Sequence, residues 1–202
     1  MSHAGEPSSI HDADLAPTET AGYKIGEKKT LQEYAELDKD DESLQKWKAS
    51  LGIGAAAAGA GAEGPNVSMI SLSLVSATRP TPIVLDLTRP EALKALKKDP
   101  IVIKEGAEYA VELKFLVNNT IVPGLKYIQA VKRAGIVVDK LESMIGSYGP
   151  STEPVVKRFV TEEAPSGMLA RSGSYNVRSR VLDDDKNIYC DFEWTFSLKK
   201  EW

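Results

Sequence analysis

Covalent chemistry at neutral pH needs a titrating or nucleophilic side chain beside a partner, and this chain brings few such residues together. Its two histidines, His3 and His11, both fall near the start. No Ser–His–Asp or Cys–His constellation can then be built in the rest of the chain, and a clustered His/Cys metal site is excluded in the same way. The single cysteine, Cys190, rules out an intrachain disulfide and fits a reducing compartment. There is no phosphate-binding loop and no dinucleotide fingerprint. The run Asp183-Asp184-Asp185 lacks the glycine and distal glutamate of a calcium loop and reads as a hairpin tip. These absences point to a binding protein without metal or cofactor, and argue against an enzyme.

Two other constellations could bind something. One is the acid run Asp38-Lys39-Asp40-Asp41-Glu42, followed by Leu44 and Trp47. The other is the stripe Phe192, Trp194 and Phe196, on one face of a strand. Spacing alone makes such a stripe core packing. A sandwich can also part its sheets at one edge and admit an apolar ligand, an alternative that pattern leaves open.

The elements that position these residues follow from composition and period. The chain has 202 residues, 42% hydrophobic, with a formal charge of −4, so no basic field attracts nucleic acid. Twelve acids and six bases fall in positions 1–66, against 17 and 19 in the remainder. Residues 1–28 are polar, rich in Pro and Ser, without period, and read as a disordered tail. They lack the apolar core of a signal peptide. The Ala/Gly run near 55–62 is too short to span a bilayer, and Lys199-Lys200-Glu201-Trp202 is not a prenylation box. A cytoplasmic location without direct membrane anchoring is expected.

Thr30-Leu31-Gln32-Glu33 is a capping box. Leu31, Tyr34 and Leu37, then Leu44, Trp47, Lys48 and Leu51, recur at helical spacing. Residues 29–51 therefore read as an arm of two short helices, the second capped by Asp40 or Asp41. Residues 52–66 read as a flexible Gly/Ala linker. From Val67 the period becomes two. Eight or nine strands, with a helical interlude at 90–98, predict an all-β fold over 67–202. Its expected form is an immunoglobulin-like antiparallel β-sandwich preceded by the flexible arm.

Longer motifs then carry a resemblance. Leu37-Asp38-Lys39-Asp40-Asp41-Glu42-Ser43-Leu44, Gly124-Leu125-Lys126-Tyr127-Ile128-Gln129 and Gly146-Ser147-Tyr148-Gly149-Pro150 appear in order. Glu162-Glu163-Ala164-Pro165-Ser166-Gly167-Met168-Leu169-Ala170-Arg171 follows, then Asp183-Asp184-Asp185-Lys186 and the closing Lys199-Lys200-Glu201-Trp202. From about Thr30 onward the chain resembles the Rho GDP-dissociation inhibitors.

That resemblance implies a binder of prenylated, GDP-bound Rho-family GTPases, one to one. It implies that a geranylgeranyl group is sheltered between the sheets, that GDP release is inhibited through the arm, and that the GTPase is drawn off membranes. By matched position, the lipid pocket would comprise Leu74, Ile101, Phe115, Ile121, Met168, Leu169, Val177, Phe192 and Trp194. Phe192 and Ile101 depart from the tryptophan and phenylalanine common in the family, which bears on pocket shape. The arm contacts would be Leu37, Asp38, Asp40, Asp41, Leu44 and Trp47, with Asp41 reaching a switch threonine. On the sandwich, Asp139, Asp184 and Asp185 would meet the GTPase, and Glu162 and Glu163 would form an acidic rim. Thr30, at its helix cap, is a candidate phosphorylation switch.

Overall fold

The structure, a computed structural model, describes residues 10–18, 33, 36–37, 39–50 and 64–202. Thr30 and Asp38 lie outside the described residues. In the arm one helix is described, α1 (Glu42–Ser50). Asp41 caps it, its Oδ1 accepting from the amides of Ser43 (2.9 Å) and Leu44 (3.0 Å), two donors that have no partner within the helix.

The period-two segments become strands β1 (Val67–Ser76), β2 (Arg79–Asp86), β3 (Ile101–Lys104), β4 (Glu108–Val117) and β5 (Val122–Arg133). β6 (Ile136–Tyr148), β7 (Val155–Glu163), β8 (Ser174–Leu182) and β9 (Ile188–Lys199) complete the set. The helical interlude is α2 (Pro90–Lys98), opened by a proline at its first position, and a short α3 (Met168–Arg171) precedes β8. The strands form a four-stranded sheet, β2-β1-β4-β7, and a five-stranded sheet, β3-β9-β8-β5-β6. All pairings are antiparallel except β3 with β9, which run parallel. The fold is thus an all-β sandwich with one parallel edge.

Alternation fixes which residues meet between the sheets. Leu72, Leu74, Leu113, Phe115, Tyr127, Val177, Trp194 and Phe196 belong to one buried cluster. In β1 the simple alternation Ile70, Leu72, Leu74 fails at its first member. A register shift between Met69 and Ser71 sends Val67 and Met69 inward and leaves Ile70 half-buried. The β5–β6 hairpin turns at Ala134 (φ 49°) and Gly135 (φ 82°), two successive left-handed residues that match the strand twist.

β5 is buried along nearly its whole length, on both faces. Its outer face is covered by residues 10–18, part of the stretch that composition reads as a disordered tail. They form a 3-10 turn, Asp12–Leu15, whose Leu15 is fully buried. Ile10 and Leu15 pack with Ile128, Ala130 and Leu182 in a cluster separate from the main core.

Candidate functional site

Of the residues expected to hold a lipid, Leu74, Phe115, Val177, Phe192 and Trp194 lie in the main inter-sheet cluster, with Ile101 packed against it. Val177 of β8 stands opposite Trp194 of β9. Around them Phe115 meets Tyr148 edge-on at 5.3 Å and Tyr175 stacks on Phe196 at 4.6 Å, both favoured aromatic geometries. Ile121 is half-buried just before β5. Met168 and Leu169 stand apart: α3 presents them to solvent, 79% and 81% exposed.

A polar thread runs through this apolar interior. The Trp194 indole Nε1 donates to Ser179 Oγ at 3.1 Å. Ser179 lies 3.0 Å from the Tyr127 hydroxyl, which donates to Gln129 Oε1 at 2.7 Å. All four residues are buried, so each bond offsets a desolvation cost that a lone polar atom would carry. Burial also pushes the Tyr127 hydroxyl above its ordinary pKa. The sequence holds a trace of this thread: Ser179 and Gln129 occupy inward positions of otherwise apolar alternations.

The platform carrying Met168 and Leu169 is clamped from two sides. Glu105 accepts from the Gly167 amide at 2.9 Å and pairs with Arg171. That guanidinium, with the Gly167 bond, holds the Glu105 carboxyl below its usual range. Arg133 donates to the carbonyls of Ser172 (2.9 Å) and Leu169 and sits 5.1 Å over the Tyr175 ring. Beside it lies a surface cleft of about 580 Å³ lined by Arg133, Ile136, Val138, Ser172 and Ser174. Ile136 and Val138 are exposed, so exposed apolar groups border the charged clamp.

At the β6 and β7 edges, acidic groups converge. Tyr109 donates to Glu162 at 3.2 Å. Burial raises the Glu162 carboxyl above its ordinary pKa, and the negative field of Asp139 raises it further. The structure therefore brings together Asp139 and Glu162, which lie far apart in sequence.

The acidic turn is more built than a solvated tip. Asp183 is buried, and its carboxylate accepts from the Asn187 amide (2.9 Å), the Asn187 side chain (2.8 Å) and the Tyr189 hydroxyl (2.6 Å). Asp184 is half-buried and paired at 3.0 Å with Lys126, so it already has a cation beneath it. It also packs on Gly124, whose φ is +58° and whose position leaves a Cβ only 1.7 Å from Asp184 Oδ2. Only glycine meets both constraints. Asp185 is half-buried in the same turn. No group of three or more His, Cys, Asp or Glu suited to a metal ion occurs among the described residues, and none of their helices is long and apolar enough to cross a membrane.

In the arm, Leu44 and Trp47 are exposed on α1, as are Asp40 and Asp41 ahead of it. Leu37 is half-buried, and its carbonyl accepts from the Lys48 ammonium. Cys190 of β9 is half-buried, its thiol pushed up to about 12, first by burial and then by neighbouring Asp191.

Comparison with known proteins covers both arm and sandwich. The family model described as RHO protein GDP dissociation inhibitor matches residues 8–201. The match begins ahead of Thr30, where the motif resemblance starts, and takes in the docked segment. Rho GDP-dissociation inhibitor 1 of Rattus norvegicus is 48% identical over 183 residues, 91% of this chain and 88% of its own. The Rho GDP-dissociation inhibitor of Schizosaccharomyces pombe is 42% identical over 178 residues, 88% of this chain and 86% of its own. That of Saccharomyces cerevisiae is 39% identical over 184 residues, 89% of this chain and 91% of its own. These are regulatory inhibitors and not enzymes. The chain belongs to the Rho GDP-dissociation inhibitor family.

Proposed function

We propose that this chain binds prenylated, GDP-bound Rho GTPases one to one, slows their GDP release through the arm, and carries them off membranes into the cytosol. The observation carrying this reading is the family match across residues 8–201, which joins an acidic helical arm to a sandwich with an aromatic-lined interior.

The proposed lipid site lies between the sheets, among Leu74, Ile101, Phe115, Ile121, Val177, Phe192 and Trp194, with Met168 and Leu169 at its approach. In the chain alone Leu74, Phe115, Val177, Phe192 and Trp194 are buried and Ile101 and Ile121 half-buried, so the lipid would meet side chains already withdrawn from water. Burying a methylene stabilises by roughly 0.8 kcal/mol, so an isoprenoid of about 20 carbons offers more than about 10 kcal/mol gross. Ordering and desolvation take back part of it. Extraction is then a competition between two apolar solvents, the bilayer and the pocket.

The arm is assigned to the GTPase switch regions. One oxygen of Asp41 caps its own helix, and the other is assigned to the switch threonine, with Asp38 and Asp40 in support. Leu37, Leu44 and Trp47 would supply the apolar contact. Asp184 and Asp185 would meet a basic residue, and Asp139 and Glu162 the basic segment preceding a prenylated cysteine. The raised Glu162 carboxyl makes that last contact favour higher pH, because a protonated Glu162 offers a cation no charge.

The test compares prenylated with unprenylated Rho GTPase, reading binding and extraction from liposomes. Binding and extraction of the lipidated form alone are expected. Equal binding of both forms overturns the pocket.

A further inference from the structure

The outward residues of β5 and β8 are unusual for a sheet face left to solvent. Ile128 and Ala130 of β5 and Leu182 of β8 make an apolar centre, all buried. Lys132 of β5 and Arg178 and Arg180 of β8 surround it with positive charge. Residues 10–18 answer each feature. Ile10 and Leu15 fill the apolar centre. Asp12 Oδ1 lies 2.5 Å from Arg180 and 3.0 Å from Arg178, and Asp14 Oδ2 is 3.1 Å from Lys132. Arg178 also donates to the Ile10 carbonyl at 2.8 Å, and Lys140 of β6 to the Ala16 carbonyl at 3.0 Å. Thr18 closes the segment: its hydroxyl and amide both donate to Glu142, at 2.9 and 3.0 Å. Asp191 shares the two arginines, 2.8 Å from Arg178 and 2.6 Å from Arg180, and holds their forks in place beneath the segment.

We infer that the outer face of the five-stranded sheet is a docking surface for an acidic segment with two apolar anchors, and that its occupant is residues 10–18 of this chain. The consequence concerns the arm, and this part rests on the function proposed above. The helix Glu42–Ser50 lies in sequence between two attachments to the sandwich, one at Thr18 and one at Val67. Effective concentration falls roughly as the −3/2 power of connection length, and a second attachment shortens the effective connection. The docked segment thus raises the local concentration of the arm at a GTPase held on the sandwich, by roughly two-fold on that scaling.

The full-length protein tests both parts. Methyl nuclear Overhauser effects between Leu15 and Ile128 or Leu182 are expected in the wild type. They should vanish in Leu15→Asp and in the double variant Asp12→Lys, Asp14→Lys, which leave the sandwich signals in place. Both variants should need about two-fold more protein to half-inhibit GDP release from a prenylated Rho GTPase. Absence of the contacts in the wild type overturns the docking surface. Contacts present with inhibition unchanged in both variants overturn the second attachment. A wild type that shows the contacts and fails to slow GDP release instead overturns the proposed function and leaves the docking surface standing.

Discussion

Strand β8 has two faces with opposite chemistries, and each hides its cost differently. Inward, Tyr175, Val177, Ser179 and Val181 are sealed between the sheets; the Ser179 hydroxyl is satisfied by Trp194 and Tyr127, and the Tyr175 hydroxyl donates to the Ala170 carbonyl. Outward, Arg178 and Arg180 are mostly covered too, but by Asp191 and by a segment remote in sequence. Exposing the inner face to water means separating the two sheets and their shared cluster. The outer cover is a separate piece that can leave while the sheet stays whole. Burial alone therefore does not separate core from cover; what must break to expose the residue does.

The largest way to test this contrast is Trp194→Asp. It leaves a cavity and an unpaired charge inside the sandwich, each a severe defect. Loss of about 5 kcal/mol or more is expected in urea unfolding, comparable with the whole stability of many domains, and lipid extraction should go with it. Tyr127→Phe keeps the shape and removes the hydroxyl joining Ser179 to Gln129. A cost of about 1–2 kcal/mol is expected by the same measurement, since Ser179 keeps the Trp194 donor. Leu15→Ala should cost global stability only about 1 kcal/mol. The penalty cannot exceed the free energy of docking, because the segment can detach; loss of the Leu15 contacts in NMR is the direct readout.

The smallest effect is a pH dependence at the outer face. Asp12 is held below its ordinary pKa first by its Arg180 bond and then by Arg178, and Asp14 first by Lys132 and then by the His11 amide. For depressed carboxylates the attachment is complete above the ordinary value near 4 and weakens as pH falls through the lowered folded values. Titration below pH 4 should weaken the hold on residues 10–18 before the sandwich unfolds, seen as fading of the Leu15 contacts with strand amides still protected. Simultaneous loss of both would erase the distinction between the two faces.

Much of the sandwich was legible because alternation is a local signal. The Tyr109, Val111, Leu113, Phe115, Val117 series and the Phe192, Trp194, Phe196 series point inward as their spacing predicts. The bulge at Met69 was not legible, since one extra residue flips the phase without changing composition. Nor was the parallel pairing of β3 with β9, a contact across nearly a hundred residues. The docked segment escaped for a related reason. Ile10 and Leu15 are isolated hydrophobes in a polar stretch, and only their distant complement, Ile128, Ala130 and Leu182, gives them a place. A hint lay in β5, where the outward Ile128 and Ala130 are apolar on a face expected to be wet. Among the residues expected to hold a lipid, the inward place of Trp194 was readable from spacing, but not that Met168 and Leu169 stand in solvent.

The lone cysteine has a practical corollary. With its thiol at about 12 and its strand position half-covered, Cys190 carries almost no thiolate at neutral pH, and the thiolate is the reactive form. Mild oxidants and maleimides should pass it by, sparing the chain from sulfur-bridged dimers. A cysteine introduced at an exposed position, such as Ala13→Cys, would then be the one handle that takes a fluorophore.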